Sequence, residues 1–512
     1  MKLEYESYEQ AKREFNPRER WDVFDRGREQ FNIACECVDR HPQHRTAIRL
    51  QFDDGRRETH TFAELSALSS RFANMLEAQD IGQGDRVALI LAPSLEFYAS
   101  FFGTLKRGAV VVPCLPLFGP EAISYRLTNA SVSAVVTTEE KAGVVDKRLA
   151  KHVMLAEGLR EMLGRYPDHY ETRTSADTLA IIQFSSGTTG TPRPVLYNHI
   201  AATITAVNIK LCIGLRSDDS YFCPSSPAWG HGIMYGTIGP LIFGNAIGAY
   251  SGKYDPDTLL GALEHWDVTN MSAIPLVYRT MASKLDRYRL KLRRMTFTGG
   301  SVDIETIRAF QDRLGAFPQS FYGSTEVGVI VNDYDFLDYV AKPGSMGQPM
   351  LGVKVAVLDE HDNALPPGQT GQMAVWRRDR WVRIGDYAML DDDGYFWHKG
   401  RTDDVIKSAG YTIGPFEIEA VLEKHPAVRR AAVVGSPDRE RGMVVKAFIV
   451  PTTEPGDALI REIQDFVKTR LSRHEYPREI EFVDSLPETP DGKIRRSELR
   501  ELERVRKLAA SP

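Results

Sequence analysis

Cysteine is scarce in this 512-residue chain. The five present, Cys35, Cys37, Cys114, Cys212 and Cys223, fit neither of its structural uses. An odd number at irregular spacing is no disulfide framework, and the Cys35-Glu36-Cys37 pair has no second pair at zinc-site distance, so no metal is expected there. Excess positive charge is missing too. Lys and Arg number 64 against 69 Asp and Glu, for a net charge of -5, which gives nucleic acid no electrostatic hold. No secretory signal is expected from the polar, charged opening "MKLEYESYEQAKREF". A charge-free run from Pro227 to Gly252 is long enough to cross a bilayer, but glycines, Pro240 and Asn245 interrupt it and basic flanks are lacking. It reads as buried strand, loop and helix beside a pocket, and the protein as soluble and cytoplasmic. Repeats and low-complexity segments are absent. So are the two commonest phosphate-binding glycine patterns. "GTTGTPRP" does not supply the Walker spacing, and the first strand-to-helix turn reads "LAPSLE" where a Rossmann fold carries Gly-x-Gly-x-x-Gly.

The composition that is present, 42% hydrophobic and 26% charged, is that of a globular protein too long for one core. "DRVALILA", "SLEFYASFFGTLKRG" and "AVVVPCLP" read as buried strand, helix and buried strand, and "EAISYRLTNAS" with "VSAVVTT" repeats the order. This predicts an α/β class with a helix-covered parallel sheet. "KVAVLDE" and "GQMAVWR" read as more exposed strands. After "HKGRTDDVIKSAG" the pattern changes to a helix, "PFEIEAVLEKH", strands "RRAAVVGS" and "VVKAFIVP", and a helix, "ALIREIQDFVKTRLS". The expectation is a large N-terminal domain, 1–402, and a small α+β C-terminal domain, 403–512.

The densest chemical signal is "QFSSGTTGTPRPVLYNH", Gln183 to His199. "AIIQF" reads as a strand and "SSGTTGTPR" as the loop after it. Ser185, Ser186, Thr188 and Thr189 offer hydroxyl donors. Gly187 and Gly190 let the backbone present its N–H groups, and Arg193 adds charge, an arrangement suited to a phosphate oxyanion. On composition alone a plain surface loop fits equally well.

The stretch "FSSGTTGTPRPV" resembles the phosphate-loop signature of the adenylate-forming superfamily of acyl-CoA synthetases, luciferases and adenylation domains. Further signatures follow in the family's order: "TGGS" at Thr298 to Ser301, "YGSTEVG" at Tyr322 to Gly328, the long run from Ile384 to Glu419, and "LPETPDGKIRRSELR" at Leu486 to Arg500. The resemblance spans the chain from about residue 30, and its C-terminal segments are most similar to short- and medium-chain acyl-CoA synthetases. It implies that an acid and ATP give acyl-AMP and pyrophosphate, and that acyl-AMP and CoA then give the thioester. ATP, Mg²⁺, CoA and a carboxylic acid are the implied ligands. Oligomeric state stays open, a homodimer included.

The resemblance also implies roles. Ser185, Ser186, Gly187, Thr188, Thr189, Gly190 and Arg193 would hold the β and γ phosphates. Thr325 would touch the α-phosphate and Glu326 would bind Mg²⁺. Tyr322, with Gly323 and Ser324 beside it, would stack on adenine next to Gly299, Gly300 and Ser301. Asp386 would accept from both ribose hydroxyls, and Arg401 would hold ribose or phosphate. Lys493 would reach the carboxylate and α-phosphate, a donor whose loss costs on the order of 10²–10³ in rate. Asp403 would be the hinge of a mobile small domain, whose rotation brings a thiolation face to the active site. Gly410 would let the pantetheine arm pass, with Lys407, Arg441 and Lys446 as candidates for CoA phosphates. Trp229, His231, Gly232 and Tyr235 would line an acyl pocket for a medium-chain, alicyclic or aromatic acid. Whether His231 gates that pocket or only packs in it is open at this stage.

Three departures from the family pattern stand out. Arg193 and Pro194 replace Lys and Gly after the phosphate loop, and Thr412 stands where this branch has Arg. They motivate one alternative, a silent nucleotide- or acyl-binding relative; a second, sharing the first half-reaction, is an adenylation enzyme loading a carrier protein. The region "PSSPAWGHG" lacks the acid that would grip an amino acid's ammonium.

Overall fold

The segment Asp85 to Ala92 forms the strand Arg86–Ile90, followed by helix Leu95–Arg107 and strand Val110–Cys114. This is the βαβ unit expected from the sequence. Ser94 caps the helix by accepting the Phe97 amide, and Gly108, left-handed at φ 76°, ends it. Helix Pro120–Asn129 and strand Ala134–Thr137 repeat the order. The computed structural model describes all residues except 1–2, 147, 187–191, 325–326, 403, 405, 409–410, 439–441, 472–475, 490–493 and 510–512. Of 185–186, 407, 411–412, 417, 442 and 508–509 it describes the backbone. The chain divides into two units, Met1–Pro343 and Gly344–Pro512.

In the first unit one sheet runs in the order His152–Leu155, Ala134–Thr137, Arg86–Ile90, Val110–Cys114, Leu179–Ser186, Pro192–Asn198. It is parallel until the last strand, which folds back antiparallel. Ala88, Val112, Val135, Ile182 and Phe184 pack under Ile123 and Leu127 of helix Pro120–Asn129. The last strand supplies a reason for Pro194. Pro192 pairs with Ser186 and Pro194 with Phe184, on the outermost strand of the sheet. An edge strand turns alternate nitrogens away from its partner, so two prolines two residues apart break no interior ladder.

A second sheet places Tyr221–Phe222, Asn270–Ala273, Arg294–Phe297 and Pro318–Ser324 side by side and parallel, and Gly328–Asn332 returns antiparallel to the last of these. Helices Pro256–His265, Pro275–Ala282 and Ile304–Leu314 connect the strands. They bury Leu260, Tyr278 and Phe310 against Met271 and Met295. All four parallel strands therefore end on one edge of the sheet, where open α/β folds bind their ligands.

The charge-free run folds as helix His231–Ile238, with π-type hydrogen bonding, a continuation Gly239–Ile242, and strand Ile247–Ser251. That strand lies parallel to Thr46–Phe52 in a small third sheet. Among the described residues no helix is long and apolar enough to cross a membrane.

The second unit begins with an antiparallel meander, Val355–Leu358, Thr370–Arg377, Arg380–Leu390 and Phe396–Arg401. Then comes a sheet ordered Tyr411–Ile413, Ile406–Ser408, Gly442–Pro451, Val428–Asp438, with Glu479–Phe482 parallel on the third of these strands. Helices Pro415–Leu422, Asp457–Arg470 and Arg496–Ala509 accompany it. The boundary expected at 402/403 falls inside this unit, between its two sheets. The meander groups with the C-terminal sheet because its last strand lies against helix Pro415–Leu422: the His398 and Phe416 rings are 5.3 Å apart.

Candidate functional site

In the first unit the side chains converge at the carboxyl edge of the second sheet. His231, at the start of its helix, is held on both sides of its ring. Nδ1 lies 2.8 Å from Ser225 Oγ, and Nε2 lies 2.8 Å from Ser272 Oγ on strand Asn270–Ala273. Thr296 Oγ1, on the next strand, donates to Ser272 Oγ at 2.9 Å. Ser272 Oγ, with one proton and two lone pairs, thus serves the Thr296 hydroxyl and His231 Nε2 together. Burial lowers the His231 pKa to about 4, so the ring is neutral near pH 7. The ring tilts at 5.8 Å from Phe321 of strand Pro318–Ser324. Tyr235, one turn along the helix, meets Phe321 edge-on at 5.1 Å and accepts from Asn208 Nδ2 at 3.1 Å. The expected pocket residues His231 and Tyr235 thus form one wall with Phe321, and half-buried Trp229 lies just before them in the chain.

Gly232 is buried and offers no side chain to that wall. A Cβ on it would lie 2.1 Å from the Ser226 carbonyl oxygen. Its part is to let the helix press against the Ser225–Ser226 turn that holds His231. Gln183 approaches from the first sheet. Its Nε2 donates to the Ala228 carbonyl at 3.4 Å, while its buried Oε1 has no partner among the described residues.

The hairpin Leu179–Ser186 and Pro192–Asn198 sets Ser185 opposite Arg193 and Ser186 opposite Pro192. It brings together both ends of the segment 187–191; Gly187, Thr188, Thr189 and Gly190 lie outside the described residues. Gly299, Gly300 and Ser301 are exposed just past strand Arg294–Phe297. Tyr322 and Gly323 end the neighbouring strand. Gly323 is required there, because a Cβ would meet the Gly328 carbonyl oxygen at 2.0 Å. Ser324 pairs with Gly328; Thr325 and Glu326 lie outside the described residues.

In the second unit Asp386 is buried and sits opposite Arg401 across the meander, with its Oδ1 3.5 Å from His398 Nε2. Lys407 and Thr412 face each other in register on the hairpin Ile406–Ser408 and Tyr411–Ile413. Asp403, Gly410, Arg441 and Lys493 lie outside the described residues. Lys446 needs correcting as a CoA candidate. It is buried, with Nζ 2.5 Å from Glu503 and 2.9 Å from Glu481, and two carboxylates already neutralise the one charge it would offer a phosphate.

Sequence reasoning passed over Ser225, Ser272, Thr296, Phe321 and Gln183. The usable signal was position: small polar residues at the carboxyl ends of predicted parallel strands line the edge where ligands bind.

A family model described as AMP-binding enzyme matches residues 36–379, and one described as AMP-binding enzyme C-terminal domain matches 417–493. The chain belongs to the AMP-binding enzyme family. Acetyl-coenzyme A synthetase of Bacillus subtilis is 33% identical over 92% of this enzyme and 90% of its own length. A solved acyl-CoA synthetase from Brucella canis is 31% identical and superposes with a TM-score of 0.76 over 98% of this chain and 100% of that one. An anthranilate CoA ligase crystallised with anthranoyl-AMP is 26% identical, with a TM-score of 0.83 over 94% of this chain and 99% of the other. The enzyme is an AMP-forming acid–thiol ligase of the adenylate-forming superfamily, making acyl-CoA from an acid, ATP and CoA by way of acyl-AMP. Mg²⁺ accompanies ATP in this family.

Proposed function

We propose that the acid is a compact apolar one, of medium-chain, alicyclic or aromatic type. The observation that carries this is the uncharged wall made by Phe321, Tyr235 and a neutral His231 fixed between two serines. Such a wall favours an apolar acyl group and gives no ion pair to an amino acid's ammonium. The anthranoyl-AMP complex of the solved anthranilate ligase supports an aromatic ring as an acceptable acyl group.

The first step joins a carboxylate oxygen to the α-phosphorus and expels pyrophosphate; in the second, the CoA thiolate takes the acyl carbon and AMP leaves. We assign the residues as the motifs suggest. The 185–190 segment and Arg193 hold the β and γ phosphates, Thr325 the α-phosphate, Tyr322 the adenine beside Gly299–Ser301, and Asp386 with Arg401 the ribose. Lys493 neutralises the two anions that must meet, which is mostly an electrostatic and positional contribution. Glu326 would offer the hard carboxylate oxygen that Mg²⁺ prefers, and the ion would draw charge from the phosphate oxygens when bound. Domain closure is assigned to a hinge at Asp403, with the small domain 403–512 turning on it. Gly410, Lys407 and Arg441 serve the CoA side. We place the reaction in the cytoplasm, a setting that suits five buried cysteines, none of them in a disulfide.

The test mixes enzyme, Mg·ATP, CoA and a pooled panel of acids, with products read by mass spectrometry. Benzoyl- or hexanoyl-type thioesters are expected to dominate. Preferred turnover of amino acids or dicarboxylates would overturn the acid class, and acid-dependent AMP-ester without thioester would move the acceptor to a carrier protein.

A further inference from the structure

Strand Leu179–Ser186 buries Ile181, Ile182 and Phe184, and with them one polar side chain, Gln183, only 5% exposed. The Ala228 carbonyl sets the direction of its carboxamide. A carbonyl can only accept, so the end that meets it at 3.4 Å is Nε2 and the other end is Oε1. Oε1 is shut off from solvent and accepts from nothing among the described residues. A buried acceptor left unpaired bears its full desolvation cost, so such groups are few. The carboxyl half of a parallel strand, toward the edge where ligands bind, is a place to keep one.

We propose that Gln183 is a specificity-determining residue: Oε1 accepts a hydrogen bond from a hydroxyl or an uncharged ring amine on the acid, so the compact, largely apolar acid of this enzyme carries one such donor. The carboxamide belongs to the acyl wall. Its partner Ala228 lies in the turn that holds His231. The Ala228 amide donates to Ser226 Oγ at 3.2 Å, the Trp229 amide donates to the Ser226 carbonyl at 3.0 Å, and the adjoining Ser225 Oγ is the one 2.8 Å from His231 Nδ1. Gly230, directly before His231, faces the carboxamide. A Cβ there would have Gln183 Oε1 at 3.1 Å, Nε2 at 3.6 Å and Cδ at 3.7 Å as its nearest neighbours. Glycine at 230 therefore keeps side-chain atoms off Gln183.

The chemistry of an amide oxygen narrows the partner. Oε1 needs a donor, and the ionised carboxylate of the acid has none to give. An aliphatic ammonium would bring a charge that this wall does not neutralise. A hydroxyl or a neutral ring amine supplies the proton without that cost. The inference rests on the proposed reading of this wall as the acyl pocket.

Steady-state kinetics with matched acids tests it: benzoate against its ring-hydroxylated and ring-amino derivatives, and hexanoate against its hydroxy derivatives, with MgATP and CoA saturating. The readout is the ratio of kcat/KM for the substituted acid over the unsubstituted one. In the unaltered enzyme at least one derivative should be favoured about 10- to 100-fold, because it pairs an acceptor that the unsubstituted acid strands. Gln183→Met keeps the length and removes the carboxamide, and should bring that ratio close to one. Gly230→Ala crowds the carboxamide from the helix side and should lower the ratio in part. Partial misfolding scales both acids alike, so the ratio reports the contact, and if Gln183→Met does not fold, Gly230→Ala carries the test. No derivative favoured over its unsubstituted acid, or a preference that survives these substitutions, overturns the inference and leaves the acid class standing. If benzoate, hexanoate and all their derivatives are refused while other acids are turned over, the acid class fails and takes the inference with it.

Discussion

At the scale of single residues, His231 shows how far a motif carries. The sequence placed it at a pocket and left gating and packing level. Both ring nitrogens are engaged by serines, so swinging it aside would break two hydrogen bonds at once, which favours the fixed wall. Lys493 is the residue with the sharpest expected phenotype. Lys493→Ala, or acetylation of the amine, should slow acyl-AMP formation on the order of 10²–10³-fold and leave thioester formation from supplied acyl-AMP near the parent rate. Stopped-flow measurement of each half-reaction checks this, and equal loss in both would count against the assignment. Lys493 and Glu326 are named from motifs that resemble the family's, and both lie outside the described residues. Ser225, Ser272 and Thr296 had no such motif to name them. A lone hydroxyl has no local signature: Ser272 and Thr296 meet because neighbouring strands bring them together, and Ser225 joins them through the His231 ring.

At the scale of elements, the strands and helices read from periodicity are present where buried runs or amphipathic spacing fixed them, as in Arg86–Ile90 and Leu95–Arg107. What periodicity could not show was sheet order. Pro194 looked anomalous in the chain and is ordinary on an outermost strand. Nor could composition show that helix His231–Ile238 depends on a glycine for close backbone approach. Gly232→Ala should displace the Ser225–Ser226 turn, lower stability by about 1–3 kcal/mol and reduce acid-dependent turnover. Denaturant melts and KM for the acid are the measurements, and an unchanged melt would show that the turn yields freely.

At the scale of the whole molecule, buried titratable groups set the response to acid. Burial lowers His41 and His231 to about 4 and His199 to about 3. All three are neutral in the fold and bind protons more readily once unfolded. Their stabilising effect is complete above the unfolded value of about 6.5 and is lost as pH falls toward the folded values. Asp333 runs the other way. Raised by burial to about 7, it favours the fold while protonated, and that effect declines as pH rises from the unfolded carboxylate value through 7. Urea midpoints should therefore drop between pH 6.5 and 4. His199→Asn keeps an acceptor for the Ile33 amide that His199 Nδ1 receives at 3.0 Å, and should flatten that drop. An unchanged slope would remove His199 as a contributor.

The paired prolines at 192 and 194 also bear on how the enzyme meets copies of itself. An open sheet edge is a template on which a second chain can add a strand, and nascent or crowded protein is most exposed to that error. Here the edge beside the proposed ATP segment has lost two of the amides such an intruder would need, with exposed Arg193 between them. The sequence that departs from the family's Lys-Gly thus doubles as a guard against aggregation at this outermost strand.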